Sequence, residues 1–151
     1  MRGVLIACAA SLAITAMALV LPRVIIQREH TPYIEIVEDN GGMVSDYATF
    51  YGYIRQAHIP VHVMGACISA CTLVLSLPPG EVCVGPQARF GFHLATTNDV
   101  DNPATTQYLV EKYYSAAVQT WIKVHGPLVS IPIFMTAKDM ISLGVLAACA
   151  K

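Results

Sequence analysis

Gly65-Ala66-Cys67-Ile68-Ser69-Ala70-Cys71 is the stretch on which the reading of this chain turns. It follows Ile59-Pro60-Val61-His62-Val63-Met64, an apolar, β-branched run that reads as a strand. It leads into a buried apolar helix over Ser69 to Leu77, stopped by Pro78-Pro79-Gly80. With Gly65 as the turn, a strand gives way to a helix at or near a serine. Such a junction has a chemical use. The first N–H groups of a helix lack intrahelical acceptors and point at nearby developing negative charge, and the serine hydroxyl sits beside them. A serine is a weak nucleophile without a base, and serine is also a common N-cap. The flanking sequence has to separate the two readings.

Upstream, Tyr33-Ile34-Glu35-Ile36-Val37 reads as a strand, broken by the turn residues Glu38-Asp39-Asn40-Gly41-Gly42. A helix is expected from Ser45, with Tyr47, Phe50, Tyr51 and Ile54 on one face; with Tyr53 they form an aromatic set suited to helix packing. Downstream, Glu81-Val82-Cys83-Val84 is a short strand, Gly85-Pro86 a turn, and Arg89 to His93 another strand. Thr96 to Pro103 reads as a polar loop, and Thr105 to His125 as the longest helix, ended by Gly126-Pro127. Thr136-Ala137-Lys138-Asp139 has the form of a capping box, with Gly144 closing a short helix. Strands alternating with helices predict an α/β fold with right-handed βαβ connections. Ligands of such sheets collect at the carboxyl ends of strands. The Gly41-Gly42 turn, Ser69 and His93 all fall at such ends.

These stretches resemble the Clp protease proteolytic subunit and the wider crotonase-like superfamily. Asn40-Gly41-Gly42 is similar to that family's glycine turn, Gly65 to Leu75 to its nucleophile segment, Arg89-Phe90-Gly91-Phe92-His93 to its histidine strand, and Met135-Thr136-Ala137 through Leu143-Gly144 to its late helix. The Cys-x-Ser-Ala-Cys-Thr and Gly-Phe-His wording is closer still to periplasmic proteins of the superfamily. The similarity runs from about Tyr33 to Val145, in order. It implies a reduced Clp/crotonase-like ββα sheet flanked by helices. It also implies a serine hydrolase, a peptidase in which Ser69 is the nucleophile and His93 the general base. Ala70 and Gly41 or Gly42 would supply the oxyanion-hole N–H groups, and a peptide or protein substrate would lie extended beside the glycine turn. The family's acid position falls on Pro132, so Asp99 and Asp101 are the candidate acids to orient His93. The alternative is a catalytically inactive binding module on the same fold. The core is small, and a homo-oligomer is a way to complete it.

Composition bounds the rest. Hydrophobic residues make up 55% of the 151 and charged residues 13%, which excludes a disordered chain. The net charge is -1 with no Lys/Arg cluster, which excludes a nucleic-acid partner. Val4 to Leu21 carries no charge, and eighteen residues at about 1.5 Å each reach roughly 27 Å, enough for a hydrocarbon core. Residues 1–26 are therefore expected to be a transmembrane anchor or a secretory signal, 27–32 a linker and 33–151 the domain, with the protein at the inner membrane or in the periplasm. Five cysteines include Cys8 in the apolar run, leaving four. Disulfides and buried free thiols both remain open, with Cys67, Cys71 and Cys83 the candidates and a bridge to Cys83 conceivable. No cofactor or metal is expected. The four-residue Cys67/Cys71 spacing is no zinc signature, and Pro60 between His58 and His62 keeps that pair off a helix.

Overall fold

The computed structural model describes residues 32–150. The expected signal or anchor segment at 1–26 lies outside the described residues, as does all but the last residue of the linker. In chain order the elements are β1 (Ile34–Asp39), α1 (Val44–Ala57), β2 (Val61–Ile68), a 3-10 segment (Ser69–Ser76) and a shorter one (Pro79–Glu81). They continue with β3 (Val82–Val84), β4 (Arg89–Phe92), β5 (Thr96–Thr97), β6 (Val100–Asp101), α2 (Pro103–Tyr113) and α3 (Ala116–His125). The last are β7 (Ile133–Thr136), α4 (Ala137–Ser142) and β8 (Ala147–Ala148). Among the described residues no helix is long and apolar enough to cross a membrane.

The fold is mixed α/β, built on a curled, half-barrel sheet of six strands. β1 runs parallel to β2 along one edge, with α1 as the crossover that a parallel pair requires. The other edge of β2 is shared. Val61–Val63 pair with β3 and Ala66–Ile68 pair with β4, so two strands leave β2 one after the other along its length. β8 then adds to β3 in parallel, and β7 adds to β4 in antiparallel sense. β5 and β6 form a separate two-stranded hairpin.

In the first half of β2 the side chains alternate: Val61 and Val63 are fully buried and His62 faces the other side. The alternation slips at Gly65, opposite a register shift between Ile36 and Glu38 in β1. Gly65 was expected to be the turn, but it lies inside the strand. A Cβ at this position would overlap the Val37 carbonyl oxygen, so the residue is glycine because the β1 backbone crosses closely at a bulge. The sharp turn comes four residues later.

Tyr51 and Ile54 of α1 fill the core under the sheet with Phe90, Leu73, Met135 and Met140, and Tyr51 donates a hydrogen bond to the Cys71 carbonyl at 3.1 Å. Burying each such apolar side chain contributes about 1.5–3 kcal/mol. Phe50, expected on that face, is instead 44% exposed. The long helix expected over Thr105–His125 is two helices. Tyr114 is extended, and Ser115 caps α3 by accepting from the Val118 N–H. Tertiary demand overrides propensity there, because Tyr114 turns its hydroxyl inward to Thr72. The capping box is present: Thr136 accepts from the Asp139 N–H, and Asp139 accepts from the Thr136 N–H. Part of the expected polar loop forms the β5–β6 hairpin, and strands β7 and β8 have no counterpart in the sequence reading.

Gly65→Ala should destabilise the domain by about 2–4 kcal/mol, because the clash is with backbone and cannot be relieved by a rotamer. Denaturant unfolding followed by circular dichroism measures it.

Candidate active site

The site is built from the carboxyl ends of three neighbouring strands. Asp39 of β1 pairs with Cys67 of β2, and Ile68 of β2 pairs with Gly91 of β4. Two residues past the first pair stand Gly41 and Ser69; one and two residues past the second stand Phe92 and His93. Adjacent strands lie about 4.8 Å apart, so the glycine turn, the serine and the histidine occupy successive positions along one rim.

Ser69 holds φ of +57°, the left-handed region that costs a side-chain-bearing residue roughly 1–2 kcal/mol. The bend sends the chain from β2 directly into the 3-10 segment, whose first N–H groups, including that of Ala70, lack helical acceptors. Gly41 makes the bend possible. With φ of +81°, it lies so close that a Cβ would sit 2.6 Å from the Ile68 carbonyl oxygen, 2.7 Å from the Ala70 nitrogen and 2.7 Å from the Ser69 Cβ. Asp39 fixes the glycine turn, accepting from the Gly41 N–H at 2.8 Å and from the Tyr47 hydroxyl at 2.6 Å. The Gly41 N–H is thus engaged, which leaves Gly42 and Ala70 as the oxyanion-hole candidates of the expected set.

Ser69, Ala70 and His93 line one cavity of about 40 Å³, with Leu73, Phe92 and Tyr114 among its other walls. Beneath it, Thr72 donates to the Ser69 carbonyl at 2.5 Å and shares a 2.6 Å hydrogen bond with the Tyr114 hydroxyl. Burial pushes the Tyr114 phenol up to about 12. Neither Thr72 nor Tyr114 was singled out in the sequence. The break between α2 and α3 that delivers Tyr114 carries no Gly or Pro to announce it.

His93 Nδ1 lies 2.6 Å from the Leu94 carbonyl oxygen. A carbonyl only accepts, so Nδ1 carries the proton, and in the neutral ring Nε2 is left as an acceptor. Among the described residues no carboxylate is hydrogen-bonded to His93. Asp101 accepts from the Ser130 hydroxyl at 2.9 Å, and Asp99 holds a left-handed conformation in the β5–β6 turn. Neither takes the orienting position considered for it; the backbone of Leu94 does.

The cysteines are paired differently from the conceivable bridge to Cys83. Cys67 and Cys71 form a disulfide across the serine bend, Cα atoms 5.3 Å apart. Cys83 bonds to Cys149, a residue not singled out as its partner, Cα atoms 4.8 Å apart. Both Cys67 and Cys71 are fully buried, so they pack behind the bend. His58 caps α1 in a left-handed conformation and pairs with Glu81 at 2.7 Å, away from His62.

Three outcomes follow from this geometry. Gly41→Ala should cost roughly 1–3 kcal/mol in denaturant unfolding. Ser69→Gly should keep the fold and gain up to about 1 kcal/mol over Ser69→Ala, since only glycine is at ease in the left-handed bend. The folded Tyr114 value lies above the ordinary 10, so the stability it supports is complete below pH 10 and lost as pH rises towards about 12. Thermal midpoints should therefore fall less steeply over that window in Tyr114→Phe than in the native chain. No family model matches this chain, and no curated protein matches it either.

Proposed function

We propose that this chain is an exported or membrane-anchored serine hydrolase, a peptidase on a reduced Clp/crotonase-like fold, acting through Ser69 and His93. The observation that carries the reading is the shared cavity: a strained serine and a histidine whose Nδ1 is held by the Leu94 carbonyl and whose Nε2 has no hydrogen-bond partner among the described residues, at the ends of adjacent parallel strands. Left-handed strain at a side-chain-bearing residue is costly, and proteins tend to keep it at functional sites.

In this mechanism an extended peptide lies along the glycine turn. Ser69 Oγ attacks the scissile carbonyl while His93 Nε2 takes the hydroxyl proton, and the oxyanion forms against the N–H groups of Ala70 and Gly42. The imidazolium then gives its proton to the leaving amine. A water, deprotonated by the same nitrogen, hydrolyses the acyl-serine ester. The Leu94 carbonyl keeps Nδ1 protonated throughout, the part of an acid's role that concerns tautomer.

One observation favours the second reading, a binding module without catalysis: among the described residues no carboxylate is hydrogen-bonded to His93. A carbonyl lacks the full charge that stabilises an imidazolium. Fluorophosphonate labelling of the purified protein separates the two. An adduct on Ser69 that disappears in Ser69→Ala, and forms at least about 100-fold more slowly in His93→Ala, is expected of the hydrolase. A folded protein with no adduct on Ser69 leaves the binding module.

A further inference from the structure

The two disulfides lie in opposite environments. Cys67–Cys71 is sealed in the core, both residues fully buried. Cys83–Cys149 lies on the other face of the sheet and is only half-buried. The register explains why. In β2 and β3 the valines at 61, 63, 82 and 84 face the core, so His62 and Cys83, which pair directly across the two parallel strands, share the outer face. Cys83 pairs in turn with Ala147 of β8, and Cys149, two residues on, returns to that same face with its N–H bonded to the Val84 carbonyl. Three strands thus bring one imidazole and two sulfurs together, all ligand atoms within 4.8 Å of one another.

We propose that Cys83, Cys149 and His62 form a redox-gated site for a thiophilic metal ion, Zn²⁺ or Cu⁺. The proposal is independent of the reading of Ser69. As a disulfide, the sulfurs have no thiolate to offer. A dithiol reductant opens the bridge by thiolate attack on one sulfur, giving a mixed disulfide. Its second thiol then displaces the remaining sulfur, so the reductant leaves as its own disulfide and the protein gains two thiols. Metal binding replaces the two thiol protons, giving an S,S,N set that suits Zn²⁺ and Cu⁺.

The geometry needs little adjustment. Zn–S bonds of about 2.3 Å and Zn–N bonds of about 2.0 Å set tetrahedral ligand separations of about 3.5–3.8 Å. The two sulfurs move apart on reduction, towards that spacing, while the imidazole is already within 4.8 Å. Tyr33 stacks on the His62 ring with centroids 4.0 Å apart and fixes its orientation. Glu35 of β1 pairs with His62 in register and brings a carboxylate to the same face. The fourth position is open to water or a ligand.

Cobalt substitution on the full chain is the test. After reduction by a phosphine and anaerobic removal of the reductant, Co²⁺ should give a thiolate charge-transfer band and tetrahedral d–d bands, saturating at one equivalent and bleached by Zn²⁺. Cys149→Ser and Cys83→Ser should lose the band. His62→Ala should weaken cobalt binding at least about 10-fold, and Cys8→Ser and the Cys67→Ser/Cys71→Ser pair should keep it. The oxidised chain should show none. Absence of the band in the reduced native chain, its survival in Cys149→Ser, or equal strength before reduction overturns the proposal.

Discussion

The left-handed bend at Ser69 is the constraint around which the rest of the domain is arranged. A strand can turn into a buried 3-10 segment within one residue only if the neighbouring strand leaves room, and Gly41 does so by having no side chain. The strain is held from several sides. Asp39 pins the glycine turn, Cys67 and Cys71 bridge across the bend, and Thr72 grips the Ser69 carbonyl from below. Tyr51 holds the Cys71 carbonyl from α1, and Tyr114 reaches Thr72 from the far end of α2. A cost of roughly 1–2 kcal/mol at one residue is small beside the apolar burial these elements supply together.

The same rim sets what chemistry is available. A buried acid behind a catalytic histidine does two things: it selects the tautomer and it stabilises the imidazolium. The Leu94 carbonyl does the first for His93. The second is reduced to a dipole, so the hydrolase proposed above would be slower than one with a full triad and would rely on base catalysis and amide stabilisation of the oxyanion. The proposed activity therefore stands on Ser69 and His93 lining one cavity at the ends of adjacent strands, and the acid is the part with which it dispenses.

Much of the rim was legible in the sequence because it is local. Gly41-Gly42, Ser69 and His93 each close a recognisable β-rich run, and the capping box at Thr136 is a four-residue pattern. What could not be read was set by tertiary contact. Gly65 reads as a turn, yet it is a close crossing with Val37. Thr105–His125 reads as one helix, yet it breaks at Tyr114 for the sake of Thr72. The two-residue strand β8 is too short to have a period, so the Cys83–Cys149 pairing, 66 residues apart, left no spacing signal. The orienting group for His93 is a backbone carbonyl, which every residue carries, so no side chain marks it.

Nitrogen-15 NMR of His93 in the folded protein near neutral pH tests the account most directly. The two ring nitrogens have well-separated shifts, and coupling to the ring protons assigns the tautomer. A proton on Nδ1, with Nε2 bare and its shift altered by Ser69→Ala, is the result the account requires. A neutral ring protonated at Nε2, or an Nε2 indifferent to the serine, would contradict it, because the imidazole could then take no proton from Ser69.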